Sequence, residues 1–255
     1  MTTSVYPLRA FADNYIWVIR GGRNAAVVDP GDAAPVLEHL KAERLNLSDI
    51  LITHHHGDHI GGLPELTAEF NVPVYGPAKS HIHHLTHTLR EGDVVNLPEL
   101  DLSFQVMESP GHTLDHIAYY GHGWLFCGDT LFACGCGRLF EGTAAQLYGS
   151  LQKFAALPAD TAVFCAHEYT LNNIRFAKAV DGDCAPLLKR ETAEAAKRAR
   201  DEPTVPSLMQ LERETNPFLR CAEADFRRML RAKKIIGDDD PVRAFAALRA
   251  WKDKF

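Results

Sequence analysis

The chain has 255 residues, of which 46% are hydrophobic and 24% are charged, and this is the composition of an ordinary folded globular protein. Its 27 basic and 33 acidic residues give a net charge of −6, which argues against broad binding to nucleic acid. No stretch reaches the roughly 18 to 20 apolar residues that a membrane span requires, and the beginning of the chain lacks the pattern of a signal peptide. Six cysteines without regular spacing do not make a disulfide framework, so we expect a cytoplasmic protein with reduced thiols.

The first two-thirds of the sequence alternate short strand-like segments with helical ones. Strands are predicted where runs rich in Val, Ile, Phe and Tyr stop at Gly, Pro, Asp or His. From about Thr170 onward, the pattern is nearly all helical. We therefore predict an α/β domain over residues 1–169, with two layers of sheet covered by helices, followed by an α-helical domain over residues 170–255. The predicted strands are 15–20, 24–31, 49–54, 102–109, 116–120, 123–129 and 161–167, and the predicted helices of the first domain are 33–44, 63–70 and 143–157.

The stretch "THHHGDHIGG" (53–62) concentrates four histidines and one aspartate in a short loop. A cluster of histidines this dense would repel itself if it were protonated. A bound cation removes the problem, because ligating imidazoles are neutral and a carboxylate offsets the charge of the metal. The candidate ligands in this loop are His54, His56, Asp58 and His59.

Three further candidate ligands stand where strand-like segments end. They are His112 in "SPGHTLDH", Asp129 in "FCGDTLF" and His167 in "FCAHEYT". Ligands delivered from strand ends on a rigid sheet are well held, as a metal site requires. One four-coordinate ion cannot use all seven candidates, whereas two ions can if one carboxylate bridges them.

The order of these seven ligands resembles the motif of the metallo-β-lactamase superfamily. The resemblance implies a four-layer αββα sandwich in the first domain and two divalent metal ions per chain, with Asp129 as the bridging ligand. Imidazole and carboxylate ligands suit zinc, and also iron or manganese. The resemblance places His54, His56 and His112 on one ion and Asp58, His59 and His167 on the other.

Other histidines and cysteines give no comparable prediction. His55 is expected to point away from the ions. The C-x-C pair Cys134 and Cys136 is weak evidence for zinc, because no second cysteine pair completes four ligands. The segment "HIHHLTH" is flanked by Pro and Lys and is predicted to be exposed rather than metal-binding; its histidines are His81, His83, His84 and His87.

Two divalent ions about 3.5–4 Å apart can share a water molecule and generate hydroxide near neutral pH. Hydrolysis is therefore the expected reaction class, although the metal motif alone leaves the substrate open. Three longer segments narrow it, because they resemble the glyoxalase II (hydroxyacylglutathione hydrolase) family: "CGDTLFACGCGRLFEGT" (127–143), "AHEYTLNNIRFA" (166–177) and "RAWKDKF" (249–255).

This second resemblance implies a reaction and its catalytic residues. The substrate would be the thioester S-D-lactoylglutathione, and the products glutathione and D-lactate, in the second step of methylglyoxal detoxification. Hydroxide held between the ions would attack the thioester carbonyl. Asp58 would orient the hydroxide as well as bind metal, and Asp129 would bridge the ions. We expect a monomer that binds neither nucleic acid nor membrane.

A substrate with free carboxylates needs cations in its site despite the negative charge of the protein. Arg249 and Lys252 are three residues apart, so they are neighbours on a helix face and can grip the glycine carboxylate together. Arg138 is a candidate anchor for another part of the peptide, and Tyr169 a candidate hydroxyl donor beside the metal site. Arg138 stands where the family often has a lysine. Phe140 stands where the family can have a tyrosine, so one hydroxyl contact to the substrate is missing.

Three alternatives remain open on the sequence. A persulfide dioxygenase of the same superfamily uses a single iron and would not need the full second set of ligands or the helical tail. A nuclease would want a basic groove, which the spread of Lys and Arg does not indicate. A catalytically silent binding module would have no physical reason to keep seven costly polar groups together.

Overall fold

The structure is a computed structural model that describes residues 3–255. The strands are β1 (Thr3–Ala10), β2 (Asn14–Gly21), β3 (Asn24–Val28), β4 (Asn46–Leu51), β5 (Val74–Pro77), β6 (His87–Leu89), β7 (Val94–Leu97), β8 (Leu102–Glu108), β9 (Ile117–Gly121), β10 (Trp124–Gly128), β11 (Leu131–Phe132), β12 (Gly135–Cys136), β13 (Ala162–Cys165) and β14 (Ser207–Leu208). The helices are α1 (Ala33–Glu43), α2 (Gly57–Ile60), α3 (Leu63–Glu69), α4 (Ala144–Ala155), α5 (Thr170–Val180), α6 (Ala185–Ala199), α7 (Met209–Thr215), α8 (Pro217–Arg220), α9 (Ala224–Ala232) and α10 (Pro241–Lys252). Each helix within the described residues is too short or too polar to cross a lipid bilayer.

The chain forms two compact units. The first unit extends to Glu108 and resumes over Asp115–Gly128, and the second unit contains Ser109–Leu114 and Asp129–Phe255. The domain boundary predicted at residues 169/170 is a different division of the chain and stays a prediction.

A six-stranded sheet in the order β1-β2-β3-β4-β5-β6 organises the first unit. The strands β1 to β3 are antiparallel, and β3 to β6 are parallel. The strand β2 is almost wholly buried, as its apolar run "YIWV" requires. Helix α1 covers the sheet with Val36 and Leu40, and the side chain of Asp32 caps its first turn. The strands β7 to β10 of the same unit pair antiparallel in sequence order.

Four strands of the first unit were not among the predicted ones: β1, β5, β6 and β7. Proline has no backbone N–H to donate, so Pro7 argues against a strand at β1 in the sequence. The structure places β1 at the edge of the sheet, where a missing N–H donor is tolerated. The strand β6 begins at His87, the last histidine of "HIHHLTH", and is only three residues long, which is too short for a periodic pattern.

The second unit is mainly helical, with the two-stranded ladders β11–β12 and β13–β14. Helix α4 begins at a capping box in which Thr143 and Gln146 satisfy each other's backbone N–H groups. The strand β13 leads through His167 into α5, and α10 is the last helix in chain order.

A buried ion pair joins two helices of the second unit. Arg190 of α6 donates from Nη2 to Glu212 Oε1 of α7 at 2.6 Å, and both side chains are almost fully buried. Glu212 Oε2 also accepts from the backbone N of Cys134 at 2.7 Å and from Asn216 Nδ2 at 3.1 Å. Asn216 Nδ2 in turn donates to the carbonyl of Gly135 at 2.9 Å. The pair therefore supports the β11–β12 hairpin as well as the helices.

Replacing Glu212 with alanine is expected to lower the free energy of unfolding by about 3–5 kcal/mol, because it leaves the Arg190 guanidinium buried without its counter-ion. Chemical denaturation followed by circular dichroism measures the loss. The matched control is Glu202→Ala, which breaks the exposed pair with Arg200 and should leave stability nearly unchanged. Equal stabilities for the two variants would contradict the role given to the buried pair.

Candidate metal centre and adjoining cavity

The first unit carries the histidine loop, defined as His54, His56, Asp58 and His59. The loop follows β4, which ends at Leu51, and His54 and His59 are almost completely buried. The two ring centroids of His54 and His59 are 4.1 Å apart. His54 Nε2 lies 3.1 Å from His56 Nδ1, and His59 Nε2 lies 3.6 Å from Asp58 Oδ2. The structure therefore brings these four predicted ligands together within one unit.

Asp29, which the sequence reasoning missed, anchors this loop. It follows β3 directly, and the parallel pairing of β3 with β4 brings it beside Thr53. Its Oδ1 accepts from the backbone N of Thr53 at 2.8 Å, and its Oδ2 accepts from Thr53 Oγ1 at 2.7 Å. Oδ2 also lies 3.0 Å from His59 Nδ1. In the sequence, Asp29 stands in "VVDPG" at the end of a strand-like segment, as several of the predicted ligands do.

The hydrogen bonds around Asp29 fix where the imidazole protons are. An ionised carboxylate only accepts, so Thr53 gives its one hydroxyl proton to Asp29. His54 Nδ1, 3.0 Å from Thr53 Oγ1, must then be the donor in that pair. His59 Nδ1 likewise donates to Asp29. In each neutral ring, Nε2 keeps its lone pair, which is the form that binds a metal ion.

Two other contacts hold Asp58. Asn14 Nδ2 donates to Asp58 Oδ2 at 3.0 Å. A Cβ placed on Gly31 would lie 1.8 Å from the carbonyl oxygen of Asp58, so only glycine lets the chain pass this close. Asn14 is a second functional candidate that the sequence pattern did not single out. The neighbouring His55 has its Nδ1 at 2.9 Å from Asp115 Oδ1.

The second unit carries the Asp129 cluster, defined as His112, Asp129 and His167. All three side chains are buried. Asp129 uses one oxygen toward each ring: Oδ2 lies 3.4 Å from His112 Nε2, and Oδ1 lies 3.3 Å from His167 Nε2. A carboxylate placed between two imidazoles in this way suits a bridging ligand.

The proton of His112 can also be assigned. Its Nδ1 lies 2.9 Å from the backbone oxygen of Arg138, and because a carbonyl only accepts, Nδ1 is the protonated nitrogen. In the neutral ring, Nε2 then presents a lone pair to Asp129 Oδ2, which also carries lone pairs. A shared cation stabilises such a contact. The donor chemistry of both clusters therefore fits a divalent metal ion, and these His and Asp side chains can hold one.

A cavity of about 370 Å³ lies within the second unit. Volumes of this size are typical of small-molecule sites, which span about 300–1,000 Å³. A Cβ on Gly137 would come within 2.0 Å of the Asp129 carbonyl oxygen, so the loop that forms the cavity wall requires glycine there. The lining residues are His112, Asp129, Phe132, Cys136, Arg138, Phe140, Tyr169, Asn172, Asn173, Arg249 and Lys252.

All five predicted substrate-binding residues line this cavity. The Phe140 ring is 62% exposed and meets His112 edge-on at 5.3 Å between centroids. Tyr169 stacks parallel to His167 at 4.7 Å, which places its ring beside the Asp129 cluster. The side chain of Arg138 is largely exposed.

Arg249 is buried and Lys252 is half-buried, although both lie near the end of α10. Arg249 Nη1 donates to the carbonyl of Cys136 at 2.9 Å, and Lys252 Nζ donates to Asn173 Oδ1. Asn173 Nδ2 donates in turn to the carbonyl of Ala133 at 2.9 Å. Burial lowers the pKa of Lys252 to about 8. Asn173, which the sequence analysis did not single out, thus orients one of the cavity cations.

The histidines of "HIHHLTH" are exposed, as predicted. His84 Nδ1 lies 3.1 Å from Thr67 Oγ1, and His87 stacks on Tyr75 at 4.7 Å. Burial raises the pKa of the Cys136 thiol, and it raises the pKa of Cys134 to about 12. Thiols whose pKa is raised by burial in this way are of the unreactive, structural kind.

The chain is similar to known proteins in both sequence and fold. A sequence model described as the metallo-beta-lactamase superfamily matches residues 11–167, and one described as the hydroxyacylglutathione hydrolase C-terminus matches residues 168–255. The hydroxyacylglutathione hydrolase of Nitrosomonas eutropha is 52% identical over 253 residues, which cover 98% of each chain. That of Aliivibrio fischeri strain ES114 is also 52% identical, over 99% of each chain.

Solved structures agree on the fold. ETHE1 from Myxococcus xanthus aligns with a TM-score of 0.66 at 25% identity, covering 99% of this chain and 100% of that chain. The BLEG-1 B3 metallo-beta-lactamase aligns with a TM-score of 0.63 at 24% identity, covering 86% of this chain and 99% of that chain. The predicted α/β fold of the metallo-β-lactamase type, with its helical C-terminal part, is confirmed.

Replacing Asp29 with alanine is expected to weaken metal binding by about 10- to 100-fold, because the partner that fixes the protons of His54 and His59 is lost. Competition with a chromogenic chelator, on metal-free protein titrated with zinc, measures the affinity. The control is Asp49→Asn, which changes another buried carboxylate of the same unit. A folded Asp29→Ala variant with unchanged affinity would contradict this role.

Proposed function

Since the chain belongs to the metallo-β-lactamase superfamily and, within it, to the hydroxyacylglutathione hydrolases, we propose that it hydrolyses S-D-lactoylglutathione to glutathione and D-lactate. This reaction is the second step of methylglyoxal detoxification. The cytoplasmic location and the monomeric state remain predictions from the sequence.

The residues that line one cavity support the proposal. The cavity of the second unit is lined both by metal-ligand candidates, His112 and Asp129, and by cations, Arg138, Arg249 and Lys252. A molecule with a hydrolysable bond and a free carboxylate can use both kinds of side chain at once. A thioester of glutathione has these two features, whereas a neutral ester has no carboxylate to pair with the cations.

The metal ligands are proposed to act as two sets joined by Asp129. His54, His56 and His112 hold one divalent ion, and Asp58, His59 and His167 hold the other; zinc is the expected metal, with iron and manganese as the alternatives. The hydrogen bonds that leave Nε2 of His54, His59 and His112 unprotonated support this assignment. Such ions lower the pKa of a nearby water molecule and polarise a carbonyl group.

Several side chains position the substrate and the attacking water. Asp58, whose Oδ2 is held by Asn14, orients the attacking water. Arg249 and Lys252 bind the glycine carboxylate, and Arg138 anchors another part of the peptide. Tyr169 offers its hydroxyl group at the cavity wall beside His167. Phe140 has no hydroxyl group, so it contributes only apolar contact at the mouth. The leaving group is a thiolate with an ordinary pKa of about 8.5, so it departs with little need for a proton donor.

Steady-state hydrolysis of S-D-lactoylglutathione, with metal content quantified on the same sample, tests the function. Turnover with about two metal ions per chain is expected, and a chelator should abolish it until metal is restored. A full metal complement with no thioester turnover would contradict the proposal. Oxygen uptake with glutathione persulfide would then identify the dioxygenase alternative.

The charge of Lys252 predicts a pH dependence. Lysine is cationic below its pKa and neutral above it, so kcat/KM for the anionic substrate should fall as the pH rises through about 8. The loss should approach about tenfold once the charge is gone. A Lys252→Arg variant keeps its charge, so its kcat/KM should lack this alkaline decrease. The same decrease in both proteins would show that another group titrates.

A further inference from the structure

Asp253 stands at the cationic side of the cavity, immediately after α10. Its Oδ1 accepts from Arg249 Nη2 at 3.0 Å and lies 3.8 Å from Arg138 Nε. One carboxylate thus contacts two of the three cations to which the proposed function assigns the substrate. Its side chain is 42% exposed, whereas that of Arg249 is buried.

The energetics of the helix do not explain an aspartate at this position. Asp253 is the C-cap residue of α10, where the partial negative charge of the helix end disfavours a carboxylate. It follows Arg249 by four residues, which is the less favourable order for an ion pair on a helix. Its contacts with Arg249 and Arg138 are favourable interactions of this side chain that do not depend on the helix.

The remaining partners of Arg249 are fixed. Nη1 donates to the backbone oxygens of Cys136 and Gly137, at 2.9 and 3.4 Å. Nε is buried and has no hydrogen-bond partner among the described residues. Asp253 is the partner that can move, because it is a side chain with access to solvent. A substrate carboxylate that reaches Nη2 competes with Asp253 for the positive charge of this group.

We propose that Asp253 sets the affinity of the cavity for anions, as an internal carboxylate that occupies Arg249 and Arg138 in the free protein and competes with the carboxylate of the substrate. This inference rests on the proposed function. The competition weakens the binding of every anion at these cations, the glutathione product included. The substrate and the product therefore meet the same competition at these cations.

The test compares Asp253→Asn with the wild type in the metal-loaded protein, with S-methylglutathione as an unreactive probe. Calorimetry should show binding about two- to fivefold tighter in the variant, as expected from removing one partly exposed carboxylate from an ion pair. The ethyl ester of the glycine carboxylate should bind equally to both proteins. Asp253→Ala should behave like Asp253→Asn.

The matched control is Asp225→Asn, which removes the same charge from an exposed pair with Arg228 at 2.8 Å. It should leave both affinities unchanged. Unchanged or weaker binding of S-methylglutathione by the Asp253 variants would overturn the inference, because Asp253 would then merely orient Arg249. Thioester turnover by the wild type would still support the proposed function in that case. If the wild type neither binds the probe nor turns over the thioester, both are overturned.

Discussion

The hydrogen bonds of the Asp29 carboxylate set the chemical state of the histidine loop. A metal ligand must be a neutral imidazole with the correct nitrogen free, and a histidine in water takes both tautomers and gains a proton near neutral pH. Asp29 removes this freedom for His59 directly and for His54 through Thr53. It can do so because β3 and β4 are parallel neighbours, so their carboxyl ends meet. The pairing of β3 with β4 therefore fixes which nitrogens of His54 and His59 are protonated, as well as where these side chains lie.

In the second unit, a different kind of acceptor fixes the protonated nitrogen of a candidate ligand. His112 donates to a backbone carbonyl, that of Arg138, instead of a carboxylate. That carbonyl belongs to the loop after β12, and the β11–β12 hairpin is held in turn by Glu212 and Asn216. The buried Arg190–Glu212 pair is thus connected to the cavity wall through hydrogen bonds. A buried ion pair is seldom a large net gain in stability, but its loss is costly, and this makes the hairpin geometry well defined.

The sequence predicted the ligands because a metal site needs particular side chains in a particular order, and four of them lie in one loop. It predicted the cavity residues only through resemblance, since Arg249 and Lys252 are far from Arg138 along the chain. Asp29, Asn14, Asn173 and Asp253 were missed for one physical reason. Each acts by contact with another side chain or backbone group, and such contacts depend on strand pairing and helix packing rather than on local pattern. The strand β1 was missed because only its edge position makes Pro7 acceptable.

The net charge of −6 does not show how the cations of the cavity keep their charge available to a ligand. Burying a guanidinium and an ammonium group is costly unless each is well hydrogen-bonded. Arg249 is supported mainly by neutral carbonyl oxygens, and Lys252 by the amide oxygen of Asn173. Neutral acceptors stabilise the cations without cancelling their charge, so the charge stays available to an anionic ligand. Asp253 is the exception, because it is a charged acceptor. Its side chain is exposed to solvent, so a ligand can replace its contact with Arg249 more easily than the contacts of the backbone carbonyls.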